Sequence, residues 1–561
     1  LILQAQDCHY GCHFEEQIYP VVTPLAVDSG HPFPFLANNT INAIVRIFQV
    51  QPDGTKDYKI AILPIPSVLD RIIEVPSSSN KEHRFVYLED VISYYAIQFF
   101  QGYGIEEAMI FRLTRDADLE IDEEDAKDLL TEVEASLRRR RRGDAVRLEV
   151  VGDGSPELLR TVLASVELEE KDVYHIDGHL DCRMYFDFSN YPGYDNLRYK
   201  PFEPKIPSDL IGFEGENLLD VIRNRDIFVH HPFESFSVVE QFVAQAAVDP
   251  NVLAIKQTLY RVSGESPIIA SLIKAADNGK QVTVLMEVKA RFDEEHNITM
   301  ARRLEKAGCH VIYGLKGLKT HSKITMVVRR EEDGIRRYVH LATGNYNGKT
   351  ARIYTDCGIF TCNDEYGDDA SRFFNLISGY SDPPIWNKFI VAPLNLRERI
   401  MDLIDEEIQC AKRGEDAYII AKMNSLLDKK VIAKLYEASA NGVRIDLIVR
   451  GICTLRPGIA GVSDNITVRS IVGRFLEHHR LFYFRNGGNE KIFLSSADWM
   501  PRNLNERVEL MIPIEDKRHK ARIKGILDLY LVDTLKAHLM RADGSYYKVS
   551  NIEGPLSAQE E

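Results

Sequence analysis

The chain has 561 residues, of which 45% are hydrophobic and 27% charged, and its 84 acidic against 69 basic side chains give a formal net charge of −15. That length exceeds what one hydrophobic core organises and points to three or four domains. The acidic balance excludes a diffuse cationic coat for nucleic acid or membrane, and no apolar run approaches the ~18 residues a membrane span needs, so any polyanion site is local.

The chain begins at Leu1 without a methionine, which leaves a preceding segment open. "CHYGCH", with Cys8, His9, Cys12 and His13, has the flavour of a zinc site but lacks a second half-site nearby, and reads as a polar helix start. The eight cysteines show no framework spacing, which fits reduced thiols in a cytoplasm, with peripheral membrane association left open. Residues 1–207 mix short apolar runs such as "YKIAILPIP" with an acidic helical stretch, and predict an α+β domain. The Arg138 to Arg142 run that closes this stretch reads as a solvated helix C-terminus complementing the helix dipole.

Ser189 to Leu210, rich in Pro, Tyr and Gly, and Tyr380 to Arg399, where Pro383 and Pro384 break the pattern, place boundaries near 207 and 388. The stretches between and after them, 208–388 and 389–561, look like copies. "KAADNGKQVTVLMEVKA" aligns with "EASANGVRIDLIVRGIC", each a helix, an Asn-Gly turn and a buried strand. "IKQTLYR" aligns with "AKMNSLL", and "LATGN" with "LSSAD". The alternation predicts two α/β units with largely parallel sheets, facing each other across a shared site.

Each copy holds one histidine two residues before a cation, in "LKTHSKI" and in "FLEHHRLFYF". Strand alternation sends His321 with Lys323, and His478 with Arg480, to one face, and selects His478 over His479. Each copy also offers an acid at the same offset, Asp356 and Glu509, so the repeat assigns Asp356 to His321 and Glu509 to His478. An acid on one imidazole nitrogen leaves the other basic and directed outward, the equipment of a histidine nucleophile. Arg261, Lys289, Arg291, Lys323 and Arg450 stand at or near predicted strand ends, where ligands of open α/β sheets bind, and guanidinium suits phosphate oxygens. His230-His231, before Pro232, reads equally as substrate contact or strand end.

The motifs "PLAVDSGHPFPFLAN", "LAIKQTLYR", "EVKARFDEE", "GLKTHSKI", "TGNYN" with "ARIYTD", and "LSSADWMPRN" resemble those of bacterial polyphosphate kinase of the first type, from about Pro24 to near the C-terminus. The resemblance implies two phospholipase D-like domains preceded by a dimer-contact domain, with the family's helical N-terminal domain missing. It implies reversible transfer of the ATP terminal phosphate to inorganic polyphosphate, with magnesium, in a dimer or tetramer that binds no nucleic acid. It also implies His321 as the phosphorylated nucleophile, His478 as second active-site histidine, and Tyr354, Arg450 and His478 at ATP. Arg261 and Arg291 fall at the magnesium site, where a guanidinium can only hold phosphate oxygens. The alternative, a phospholipase D-type phosphodiesterase or nuclease, expects an aspartate where this chain has Val328 and Arg485.

Overall fold

The computed structural model describes residues 13–75, 82–117, 129–140, 142–262, 264–379, 382–549 and 554–561. Cys8, His9, Cys12 and Arg141 lie outside them. The chain forms two compact units, one from residues 1–121 and 134–200, the other from 122–133 and 201–561.

The first unit is built on a six-stranded sheet in the order Leu25–Val27, Lys56–Pro64, Ile41–Val50, Gly104–Arg115, Ala145–Val151, Val173–Ile176. Alternation along Ile41–Val50 sends Ala43, Val45 and Ile47 into one apolar cluster and Ile44 into another, so both faces of the sheet are covered. Arg138, Arg139 and Arg140 occupy the last turn of the helix Leu129–Arg140, where cations complement the dipole.

The second unit contains both copies. The helices Pro267–Asp277 and Lys429–Ala440 start on capping side chains: Ser266 Oγ accepts from the Ile269 N–H at 3.4 Å, and Asp428 accepts from Lys430 and Val431 at 3.1 Å. Both end at the Asn-Gly pairs, where Gly279 and Gly442 take φ of 77° and 89°, a conformation open to glycine, and lead into the strands Gln281–Met286 and Arg444–Val449.

The sheets are mixed, not largely parallel. Parallel pairing covers Val252–Leu259 with Gln281–Met286 and Tyr418–Met423 with Arg444–Val449, where a helix crosses over. The histidine-bearing arms instead fold back as hairpins: Lys323–Glu331 pairs antiparallel with Gly334–Ala342, and Arg480–Phe484 with Lys491–Ser495. The turns "DG" and "NGG" that make these returns favour hairpins over crossovers.

The copies share one core. Phe373 and Phe374 of the helix Asp364–Ser378 belong to the same apolar cluster as Ile523 and Leu527 of the helix Lys517–Val532, with strand residues Ile324, Leu341, Leu481 and Leu494. They also exchange short strands. Lys319–Thr320 of the first copy pairs parallel with Arg507–Ile514 of the second, and Leu476–Glu477 of the second with Tyr354–Thr361 of the first. No helix among the described residues is long and apolar enough to cross a membrane.

Candidate active site

The exchanged strands decide which acid meets which histidine. Thr320 is in register with Val508, so His321 falls beside Glu509; Glu477 is in register with Thr355, so His478 falls beside Asp356. His321 Nδ1 lies 2.9 Å from Glu509 Oε2, and His478 Nδ1 lies 2.8 Å from Asp356 Oδ1. The pairing expected within each copy is therefore crossed: Asp356 serves His478 and Glu509 serves His321. A two-fold repeat places equivalent residues at equal offsets whichever copy they partner, and only the strand exchange resolves the choice.

Each acid is held from behind by a hydroxyl. Thr343 Oγ1 donates to Asp356 at 2.6 Å, and Ser496 Oγ to Glu509 at 2.5 Å, with Asn503 donating to the second oxygen of Glu509 at 2.6 Å. The Thr343 loop approaches so closely that a Cβ on Gly344 would sit 2.4 Å from Asp356 Cγ. All four side chains of the two pairs are buried, Glu509 fully. Burial pushes Glu509 up, against the opposing charges of Lys323 and Arg507. Burial also acts upward on Asp356, but its pairing with His478, helped by the hydrogen bond from Thr343, more than offsets it and holds that carboxyl low.

Both imidazoles are kept neutral. Burial drives His321 well below the usual histidine range, reinforced by the charges of Lys323, Arg507 and Arg480. Burial lowers His478 too, against the pull of Asp356. A neutral ring that donates Nδ1–H to a carboxylate presents an Nε2 lone pair. The two rings differ there. An Arg480 N–H reaches His478 Nε2 at 3.2 Å, whereas His321 Nε2 has no hydrogen-bond partner among the described residues.

The cations also differ. Lys323 donates to the carbonyl of His321, and burial pushes its ammonium down to about 7. Arg480 is paired with Asp498 at 2.9 Å. Asp498 accepts from the Asn424 N–H at 2.7 Å as well, and Asn424 Oδ1 accepts from Arg450 Nε at 2.7 Å. Asp498 thus links Arg480 directly, and Arg450 through Asn424, and its own carboxyl is held at about 2 because the charge and hydrogen bond of Arg480 outweigh burial. The first copy has Asn345 at the position matching Asp498.

Tyr260 meets the His321 ring edge-on at 5.0 Å, and Tyr354 lies 5.3 Å from the His478 ring. Arg261 donates to Asp293 at 2.7 Å and to the Arg291 carbonyl at 3.2 Å, which brings the loops after Val252–Leu259 and Gln281–Met286 together. Lys289 is turned to a supporting position, with Nζ donating to the Leu315 and Leu318 carbonyls at 2.9 and 2.8 Å, just ahead of His321. His231 Nδ1 hydrogen-bonds its own turn through the Glu234 carbonyl at 2.8 Å, a strand-end arrangement. Sequence reasoning passed over Arg507, Asp498, Asn424, Thr343, Ser496 and Asn503. Asp498 was the most findable, standing in "LSSAD", the segment already aligned with "LATGN".

Residues 6–188, 217–383 and 389–559 match, in turn, the polyphosphate kinase middle domain and the polyphosphate kinase C-terminal domains 1 and 2. The chain belongs to the polyphosphate kinase family. It is 52% identical to a polyphosphate kinase of Halalkalibacterium halodurans over 551 residues, which is 97% of this chain and 77% of that one. A polyphosphate kinase of Bacillus anthracis is also 52% identical, over 96% of this chain and 77% of its own. The crystal structure of polyphosphate kinase from Porphyromonas gingivalis superposes with a TM-score of 0.87 at 32% identity, covering 99% of this chain and 82% of that chain.

Proposed function

We propose that the chain moves the terminal phosphoryl group of ATP reversibly onto inorganic polyphosphate, with His321 as the covalent carrier. The observation that carries this reading is the difference at Nε2: His321 has its Nδ1 on Glu509 and no partner at Nε2 among the described residues, while His478 Nε2 faces an Arg480 N–H at 3.2 Å. The His321 Nε2 lone pair attacks the γ-phosphorus, the bond to the β–γ bridging oxygen breaks, and ADP leaves. A terminal oxygen of polyphosphate then attacks the same phosphorus and the N–P bond breaks. A phosphohistidine holds a transfer potential near that of a phosphoanhydride, so both directions stay open, as they would not from a phosphoserine.

His478, between Asp356 and Arg480, exchanges the proton of the terminal phosphate and braces the departing oxygen. Arg450 and Tyr354 hold the nucleotide, and Lys323 with Arg480 the phosphates that flank the transfer. Magnesium fits this site as a passenger on the nucleotide: Arg261 and Arg291 have no lone pair to give it, and Asp293 is already engaged by Arg261. Arg261 and Arg291 would grip the outer oxygens of metal-bound phosphate, and the ion, when bound, offsets charge on the transferring group. A diesterase reading has less support, since Val328 and Arg485 stand where its aspartates belong and Arg485 is spent on Asp416 and Glu490. We also infer a homo-oligomer, which sedimentation of the purified chain checks, in the cytoplasm, which cell fractionation checks.

Incubation with γ-labelled ATP and magnesium tests the carrier. Acid-labile, alkali-stable label on wild type, absent from His321→Ala and mapped to His321, is the expected result. Normal labelling of His321→Ala would overturn it.

A further inference from the structure

The two strands that deliver Asp356 and His478 carry other side chains on their reverse faces. Cys357 follows the acid and His479 follows the histidine, and His230 lies across from Cys357 on the antiparallel strand Ile227–His231. Donor atoms of His230, Cys357 and His479 all lie within 4.8 Å of one another. Cys357 and His479 are 0% exposed and His230 8%. The His230 and His479 rings meet edge to face at 5.5 Å, with Phe233 and Tyr530 as walls.

What sets this pocket apart is unmet polarity. His230 Nε2 and both ring nitrogens of His479 have no hydrogen-bond partner among the described residues. The Thr355 carbonyl accepts from the His479 backbone N–H at 2.8 Å. An unpaired buried polar atom costs ~1–3 kcal/mol, and interiors rarely tolerate several together. Two imidazoles and a thiol are also a soft N₂S donor set, of the kind that takes Cu(I) or Zn(II).

Charge separates those two ions. The nearby cations are already balanced, Lys422 by Glu477 at 2.8 Å and Arg522 by Glu234 at 2.8 Å. One thiolate and two neutral imidazoles therefore neutralise a monovalent ion, whereas a divalent ion leaves a net positive charge in a dry interior, at a desolvation penalty.

We propose that His230, Cys357 and His479 form a binding site for one copper(I) ion, which ties the first copy to the second directly behind the Asp356–His478 pair. On binding, the Cys357 thiol releases its proton to solvent, one S–Cu and two N–Cu bonds form, and the metal keeps its oxidation state. Bonds of ~2.0–2.3 Å put donors about 3.5 Å apart, so the three side chains close inward on loading. Thr355 then stands ready as acceptor for the outer N–H of His479.

The test is anaerobic Cu(I) titration of the full chain against bicinchoninate, in a Cys8→Ser/Cys12→Ser background that removes the competing N-terminal thiols. One equivalent held against the chelator, with an X-ray absorption shell of two nitrogens and one sulfur, is expected. Cys357→Ser should weaken that equivalent at least 100-fold while far-ultraviolet circular dichroism stays unchanged. The absorption shell is read on the background protein, so it remains decisive if Cys357→Ser fails to fold. No copper retained, a sulfur-only shell, or equal affinity in a folded Cys357→Ser would each overturn the site and leave the pocket to water.

Discussion

The two copies have the same parts in the same places and hold them differently. In the first, His321 has an open Nε2, its cation is a lysine pushed down to about 7, and the residue matching Asp498 is the neutral Asn345. In the second, Nε2 faces an arginine N–H, and that arginine is fixed by Asp498, which also reaches Arg450 through Asn424. An arginine in place of a lysine, fixed by an acid in place of an amide, thus separates a ring whose Nε2 is open from a ring whose Nε2 is engaged. Duplication supplied symmetry, and a few polar contacts broke it.

The largest effect tests that division directly. His321→Ala should lose polyphosphate synthesis and phosphoenzyme together, below detection, whereas His478→Ala should lose synthesis and keep label on His321. Equal labelling of both histidines in wild type would erase the distinction between the copies.

The crossed acids come next. Glu509→Gln should slow phosphorylation of His321 by 10²–10⁴-fold, because the amide NH₂ can face Nδ1 and favour the wrong tautomer. Asp356→Asn should leave the first phosphorylation less affected and act on steps that use His478. Single-turnover labelling followed by a polyphosphate chase separates the two. If Asp356→Asn is the one that blocks labelling, the pairing runs within each copy after all.

Asp498→Asn should remove the asymmetry itself. It leaves Arg480, 4% exposed, without its counter-charge, and breaking a buried pair costs about 3 kcal/mol, read as a lower denaturant midpoint. The released arginine should raise the KM for ATP more than it lowers kcat, because Arg450 loses its anchor through Asn424. An unchanged KM would show that Asp498 only stabilises the fold.

The smallest effect is a change of profile. Lys323 is charged below about 7 and loses its proton above it, so kcat/KM should fall as pH rises through that region. In Lys323→Arg the guanidinium stays charged, and this alkaline limb should vanish even if the rate drops severalfold. A limb that persists in Lys323→Arg belongs to another group.

Much of this site was legible in the chain. The repeat, the Asn-Gly turns before Gln281–Met286 and Arg444–Val449, and the preference for His478 over His479 follow from periodicity and spacing, which are local. The crossed pairing does not, because it depends on two-residue strands, Lys319–Thr320 and Leu476–Glu477, too short to leave a pattern. Sheet direction was misread for a related reason: apolar runs look alike in parallel and antiparallel ladders, and the hairpin turns at Asp333-Gly334 and Asn486-Gly487 were the better guide. Lys289 looked like a phosphate ligand because it ends a strand; it binds the Leu315 and Leu318 carbonyls, a partnership between loops that spacing does not encode.

The reciprocal strand exchange also governs inheritance. Each copy lends its partner the backbone on which that partner's acid meets a histidine, so a descendant that lost either copy would keep a histidine without its acid and an acid without its histidine. Once such an exchange exists, the two halves can specialise only in step: a shift in Lys319–Thr320 is felt at Glu509, and a shift in Leu476–Glu477 at Asp356. Expressed as separate chains, residues 208–388 and 389–561 should be inert alone and recover transfer only on association.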